Sequence, residues 1–276
     1  FTMVNKAFEE ITGHKRDDMI GNNDYDFFPK RQAQKYIEKD REILKNLGKI
    51  EAIEETIMTT SGRKYLWTKK VPILDRDKNH IYILGISEEI TKQKEMERTI
   101  KRLAYYDDIT SLPNRNLFYE RLRYAKELAN RNNKKIMIVM LDFDKFKEIN
   151  DKYGHDIGDK LLRDFANRTK KTFRKTDTFA RMGGDEFAMC LLDFSSIENM
   201  RNFADKILLS FDRPFVIDKI DVDIKGSVGI SIYPDDSMDE SELIRFADRA
   251  MYYSKKKGGN MFAFYNEIKD RDISEL

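Results

Sequence analysis

At 276 residues the chain has room for two domains, each large enough to bury its own core. Lys+Arg 51 against Asp+Glu 49 leaves a net charge of +2, which makes no general case for nucleic-acid binding, and 12% aromatic beside 36% charged residues fits a soluble folded protein. One cysteine, Cys190, excludes an intramolecular disulfide and suits a reducing cytoplasm, while no apolar run reaches membrane-spanning length and no signal peptide is visible.

In chain order, Asn5 to Gly13 reads as a short amphipathic helical turn stopped by glycine. Residues 31–47 predict a helix, with Ala33, Tyr36, Ile37, Ile43, Leu44 and Leu47 among its apolar positions. Strands are predicted near 50–59, 64–74 and 80–88, separated by turns at Ser61-Gly62 and Asp75 to Asn79. Short helices followed by antiparallel strands indicate a small α+β module over residues 1–88.

Asn5 and Phe8, Thr12-Gly13, Asp26 to Pro29, Trp67 and Val71-Pro72 occur in an order that resembles a PAS domain. Glu89-Ile90-Thr91 stands where such domains often close on Asp-Ile-Thr. The resemblance implies a sensor, with one further strand expected ahead of Asn5. A flavin photoadduct would need a cysteine in this half, and Cys190 lies in the other. Haem is disfavoured because His14 and His80 fall outside the 31–47 helix. Trp67 reads either as pocket lining or as core, and a small organic ligand, or none with dimerisation alone, stays open.

Residues 89–106 contain no Pro or Gly and are rich in Lys, Arg and Glu, which predicts a linker helix. Met96, Ile100 and Leu103 share one face and could pair two chains, the alternative being a solvated spacer.

From 107 onward the character changes. Ile136 to Leu141 is an apolar run typical of a strand buried on both faces, ending in Asp142 and Asp144 with Lys145 and Lys147 just beyond. Strand ends that abut a helix start are common ligand sites, although the carboxylates could instead cap the helix. His155, Asp156 and Asp159 sit at the start of a helical stripe of Ile157, Leu161, Leu162, Phe165 and Phe173. Gly183-Gly184-Asp185-Glu186-Phe187, flanked by β-compatible residues, predicts a tight hairpin with two adjacent carboxylates at its tip. Such a tip either closes a turn and nothing more or holds a hard cation.

Five ordered motifs together resemble the GGDEF family of diguanylate cyclases, over roughly residues 105–266: Asp107 to Arg115, Asp142 to Asp151, Gly154 to Asp159, Arg181 to Phe187 and Asp248 to Asn260. The resemblance implies condensation of two GTP into cyclic di-GMP. It implies that Mg2+, or Mn2+ in its place, is held by Asp142, the main-chain oxygen of Phe143, Asp185 and Glu186. Asp185 would be the base for the attacking 3′-hydroxyl, with Glu186 beside it. Asn150 and Asp159 would bond the guanine edge, His155 would belong to the same pocket, and Lys147 and Lys255 would lie near the phosphates. Arg174 and Asp177 resemble the family's R-x-x-D product-inhibition site. Gly258-Gly259-Asn260 departs from a frequent Gly-Arg-Asn, removing one potential phosphate contact.

The expected fold is therefore two-domain α+β and α/β: a PAS-like antiparallel sheet with short helices (1–88), a linker helix (89–106) and a palm-like, ferredoxin-related GGDEF domain (107–276). The expected function is a diguanylate cyclase acting as a homodimer, inhibited by its product and regulated by the PAS-like unit. The expected location is cytoplasmic, either alone or as the cytoplasmic part of a longer membrane-anchored protein. Two alternatives stay open, a silent GTP or cyclic di-GMP receptor and a mixed-dinucleotide cyclase, the latter disfavoured by Asp159.

Overall fold

The computed structural model describes every residue except 46–49, 60–61, 77–80, 195 and 271–276. Leu47, Ser61, His80 and most of the turn predicted at Asp75 to Asn79 thus lie outside the described residues. The chain forms two compact units, Phe1–Ile100 and Lys101–Leu276. Among the described residues no helix is long and apolar enough to cross a membrane.

The first unit begins with helix α1 (Lys6–Thr12). The Asn5 side chain accepts from the Phe8 amide at its start, and Gly13 at φ 78 closes it. Two single turns follow, α2 (Arg16–Met19) and α3 (Asp24–Phe27), the second opened by a reciprocal capping box of Asn23 and Asp26. Helix α4 (Lys30–Lys45) precedes an antiparallel sheet in the order β1 (Glu51–Thr59), β2 (Gly62–Leu74), β3 (Ile81–Glu89). Met19, Phe28, Ala33 and Ile43 from the helices and Ile57, Leu66 and Thr68 from the sheet are buried. The interior is partly polar: Lys70 pairs with Asp40 at 2.6 Å, and burial pushes the Tyr36 hydroxyl up to about 12. Trp67 is half-buried, with the Lys69 ammonium 4.5 Å from its ring centre. Helix α5 (Thr91–Tyr105) follows, and Met96, Ile100 and Leu103 are all exposed on it.

In the second unit, α6 (Arg115–Asn132) is capped by Asn114, whose side chain accepts from the Leu117 amide. Next come β4 (Ile136–Asp144), α7 (Phe146–Tyr153), α8 (His155–Lys170), β5 (Thr178–Gly183) and β6 (Glu186–Leu192). They are followed by α9 (Ile197–Leu208), the hairpin of β7 (Phe215–Ile217) and β8 (Ile220–Val222), and β9 (Lys225–Tyr233). The unit closes with α10 (Glu240–Lys256), β10 (Phe262–Phe264) and α11 (Tyr265–Ile268). The five-stranded sheet runs β10-β9-β4-β6-β5, antiparallel except where β10 joins β9. This is the mixed α+β architecture expected.

β4 is central and buried from Ile136 to Phe143, and its period-two alternation feeds two cores. Met137, Val139, Leu141 and Phe143 join Leu161, Phe165, Phe187 and Ile207, so α8 and α9 cover that face. Ile136, Ile138 and Met140 join Phe118, Leu122, Ala188, Leu243 and Met251, so α6 and α10 cover the other. Helix α10 packs directly on β9 at Gly229, where a Cβ would stand 2.0 Å from the Ala247 carbonyl oxygen. Phe173 departs from the predicted helical stripe. Helix α8 stops at Lys170, and Phe173 stacks instead on Phe179 with ring centres 4.8 Å apart.

Candidate functional site

The alternation that builds the two cores also aims the acidic residues. Asp142 has the parity of Ile138 and Met140, so it projects toward the α10 side of the sheet. In the antiparallel register it lies directly across from Glu186, the first residue of β6, with Asp185 in the adjoining turn. In the last turn of α10, Lys255 Nζ donates to Asp142 Oδ1 at 2.5 Å.

The electrostatics follow from this crowding. Burial, reinforced by Asp185 and Glu186 and opposed by Lys255, pushes the Asp142 carboxyl from an ordinary 3.8 up to about 6. Glu186 is also raised, first by burial and then by Asp248 and Asp185, with Arg115 and Lys255 opposing. Burial alone would pull Lys255 down, but Asp142, Asp185 and Asp144 outweigh it and hold it above its usual value. With Asp142, Asp144, Asp185 and Glu186 gathered around it, the site carries more negative charge than Lys255 and Arg115 balance. Its donors are hard carboxylate oxygens, the chemistry that a hard divalent cation selects. Among the described residues no three His, Cys, Asp or Glu side chains come together so as to hold a metal ion by themselves. Mg2+ rarely uses an all-protein set; it binds through one or two carboxylates together with substrate phosphates and water, so the residues present fit it.

The shift in Asp142 has a measurable consequence. The folded chain keeps its proton up to about pH 6, whereas the unfolded chain releases it near 3.8. Between those values the folded state binds more protons, so stability falls as pH rises from about 4 to about 6 and then levels off. In chelator, thermal midpoints are expected to show this fall, worth on the order of 2–3 kcal/mol, and Asp142→Asn is expected to remove it. Parallel curves for the two proteins would contradict the assignment.

The hairpin tip is held from below. Gly183 (φ 146) and Gly184 (φ 52) adopt conformations that side chains disfavour, and a Cβ on either would meet nothing within 4 Å. The glycines thus serve the turn's shape and leave open space above it. Arg181 Nε and Nη2 donate to the Gly184 carbonyl at 2.9 and 2.6 Å, while Nη1 donates to both carboxylate oxygens of Asp107 at 3.1 and 2.9 Å. Burial would raise the Asp107 carboxyl, but bonds from the Thr110 hydroxyl and amide, together with Arg181, hold it below its usual value.

Neither Asp142 nor Asp144 caps α7. Its N-cap is Lys145 in the left-handed region (φ 63), which makes no side-chain capping bond. Asp144 instead accepts from Ser227 Oγ at 2.6 Å and from the Asn260 amide at 2.9 Å, fastening the turn that ends α10. A side chain at Gly259 would begin 2.4 Å from that carboxylate, so the position expected to bear arginine is already crowded by Asp144.

The remaining predicted residues cluster around α7 and α8. Asn150 on α7 is half-buried, and its Oδ1 is fully buried without a hydrogen-bond partner. Asp159 on α8 is half-buried, while His155 at the helix start and Lys147 on α7 are exposed. Phe143 is buried in β4 opposite Gly226. Arg174 is exposed, and Asp177 Oδ2 accepts from its backbone amide at 2.8 Å, folding that motif into a local turn. Sequence reasoning passed over Arg181, Asp107, Arg115 and Asp248 as site residues. All four lie inside the quoted motifs, but their partners are far apart in the chain and only the fold brings them together.

Comparison with known proteins adds the lineage. Residues 104–261 match the family model "Diguanylate cyclase, GGDEF domain", and residues 1–95 match "PAS fold". Cyclic di-GMP phosphodiesterase PdeR of Escherichia coli (strain K12) is 32% identical over 98% of this chain and 41% of its own length. Diguanylate cyclase TpbB of Pseudomonas aeruginosa is 37% identical over 59% of this chain and 38% of its own. The solved GGDEF domain of TpbB matches with a TM-score of 0.57 at 36% identity, covering 58% of this chain and 94% of that one. The coiled coil and GGDEF domain of DgcB from Caulobacter crescentus, solved in complex with c-di-GMP, matches with a TM-score of 0.57 at 27% identity, covering 63% and 93%. This chain spans about two fifths of the length of those two curated relatives. It belongs to the GGDEF-domain diguanylate cyclase family, with a PAS-fold unit ahead of that domain.

Proposed function

We propose that the second unit condenses two GTP molecules into cyclic di-GMP. Each 3′-oxygen attacks the α-phosphorus of the other GTP; two P–O bonds form, two break, and two pyrophosphates leave. The observation that carries the reading is the acidic end of β4 and β6, where Asp142 faces Glu186 beside Asp185 with Lys255 as the counter-charge. Asp185, at the open glycine turn, takes the proton of the 3′-hydroxyl, and Glu186 supports it. Asp142, the Phe143 main-chain oxygen, Asp185 and Glu186 would hold Mg2+ (or Mn2+), which when bound supplies charge neutralisation on the phosphates. Lys255, Lys147 and the uncapped amides opening α7 receive phosphate oxygens.

Asn150 and Asp159 read the guanine edge, with His155 at the rim of the same pocket. A carboxylate at 159 favours a base that offers two donors, which argues for cyclic di-GMP over mixed products. One GTP per chain requires two chains to meet, so the working form is a homodimer. The exposed Met96, Ile100 and Leu103 of α5 form its seam, through which the PAS-fold unit regulates the reaction. Arg174 and Asp177 take the product in feedback inhibition, and the reducing cytoplasm is the compartment.

A second reading is favoured by the similarity to PdeR, a protein named for phosphodiesterase activity: the unit binds guanine nucleotide without turning it over. Chromatography after incubation with GTP and Mg2+, with and without ATP, separates the readings. Cyclic di-GMP alone supports the cyclase, a mixed dinucleotide contradicts the assigned base specificity, and no product from a confirmed dimer supports the silent module.

A further inference from the structure

Both oxygens of Asp144 accept from protein donors, Oδ1 from the Ser227 hydroxyl at 2.6 Å and Oδ2 from the Asn260 amide at 2.9 Å. Asp142, two residues back on the same face of β4, instead meets the mobile end of a side chain, the Lys255 ammonium. Ser227 is fully buried in β9, so the first bond fixes the Asp144 carboxylate to the sheet. The second reaches the segment that leaves α10, where Gly258 (φ 115), Gly259 (φ 73) and Asn260 (φ 51) follow one another through positive φ. That turn comes so near that a Cβ at 259 would stand 2.4 Å from Oδ2 and 2.7 Å from Cγ. A side chain there would displace a carboxylate already held by two bonds.

Lys255 lies between this tether and another. Ser254, also fully buried, donates from Oγ to the Val228 carbonyl of β9 at 2.8 Å. One anchor thus stands directly before Lys255 and the other follows it at Asn260. A lysine ammonium rides on a flexible four-carbon stem, so its reach is set by how firmly the backbone beneath it is held. We infer that Asp144 is a positioning residue for phosphate binding: by clasping Ser227 and Asn260 it fixes the end of α10 from which Lys255 reaches the triphosphate. This deepens the nucleotide reading above and rests on it. Lys255 acts on the ligand, and Asp144 acts only through the turn that carries Lys255. Its role is that of a clasp, independent of its charge.

The test uses the whole chain and 3′-deoxy-GTP with Mg2+, a probe that lacks the attacking hydroxyl and cannot be turned over. Titration calorimetry reads its affinity. Lys255→Ala is expected to weaken binding by about tenfold, the worth of one hydrogen bond from a charged donor. Asp144→Ala is expected to weaken it by roughly fivefold to tenfold, and the double variant to match Lys255→Ala alone. Asp144→Asn is expected to stay within about threefold of wild type, because its oxygen still accepts from the Asn260 amide and its own amide donates to the Ser227 hydroxyl. An Asn variant as weak as the Ala variant overturns the inference, since charge and not the clasp would then be what counts. So does a double variant whose loss is the product of the two single losses, or a wild-type affinity in folded Asp144→Ala or in Lys255→Ala. If Asp144→Ala does not fold, Asp144→Asn keeps the test decisive, and a loss of about tenfold in it overturns the clasp. A wild type that does not bind the probe overturns the nucleotide reading itself and this inference with it, an outcome distinct from the others.

Discussion

Asp185→Asn is expected to lower formation of cyclic di-GMP by about 10²–10⁴-fold, the range that a positioned general base contributes. The residue sits at the tip of a two-glycine turn, with Glu186 behind it and Asp142 across the β4–β6 register. Asparagine matches its shape but can neither take the 3′-hydroxyl proton nor offer a charged oxygen to a cation. Because Asp185 also raises Asp142 and Glu186, the variant should relax both carboxyls downward. Its fold should be unaffected, since the residue forms no part of either core. Product chromatography under saturating GTP and Mg2+ measures the effect. A variant within about threefold of wild type would show that the proton leaves by another route.

The second large effect is structural and reaches the site through one side chain. Arg181 is 8% exposed and joins the hairpin tip to Asp107, two segments 74 residues apart in the chain. Removing Arg181 leaves the half-buried Asp107 carboxylate with only the Thr110 bonds and the Gly184 carbonyl without its donors, which costs about 3 kcal/mol. For a unit of this size that lowers the thermal midpoint by roughly 10 °C. Arg181→Ala is thus expected to melt well below wild type and to lose activity, because the Gly184 carbonyl loses the fork that fixes the turn. Arg181→Lys is expected to recover only part of each, since a single ammonium cannot reproduce four N–H bonds to two acceptors. A midpoint for Arg181→Ala within 2 °C of wild type would contradict this account.

Much of the fold was legible because its signals are local. The turn from Asn5 to Gly13 reads as helical wherever the chain goes next, since the amide that the Asn5 side chain caps lies three residues on. Ile136 to Leu141 reads as a buried strand from its own side chains, and Gly183-Gly184 reads as a turn from its own backbone freedom. The polar interior beneath the PAS-fold sheet was not legible. Its Lys70–Asp40 pair joins residues 30 apart, each of which looks like an ordinary surface charge by itself. Phe173 was misplaced because helical spacing continues on paper past Lys170, where the backbone does not.

The site divides in the same way. Its residue types and their order were determined by the sequence alone: carboxylates after a buried strand, carboxylates after two glycines, a lysine within the closing motif. Which way each one points was decided only by the tertiary structure. A one-residue slip in register would turn Asp142 away from α10 and from Lys255, 113 residues later. The same holds for Arg181 beneath the turn, for Asp144 against the turn at Gly259, and for Asn150 in the gap left by Gly158. Chemical capacity belongs to each side chain and travels with the sequence. Charge balance, shifted protonation and steric allowance belong to pairs, and pairs exist only once the chain has folded.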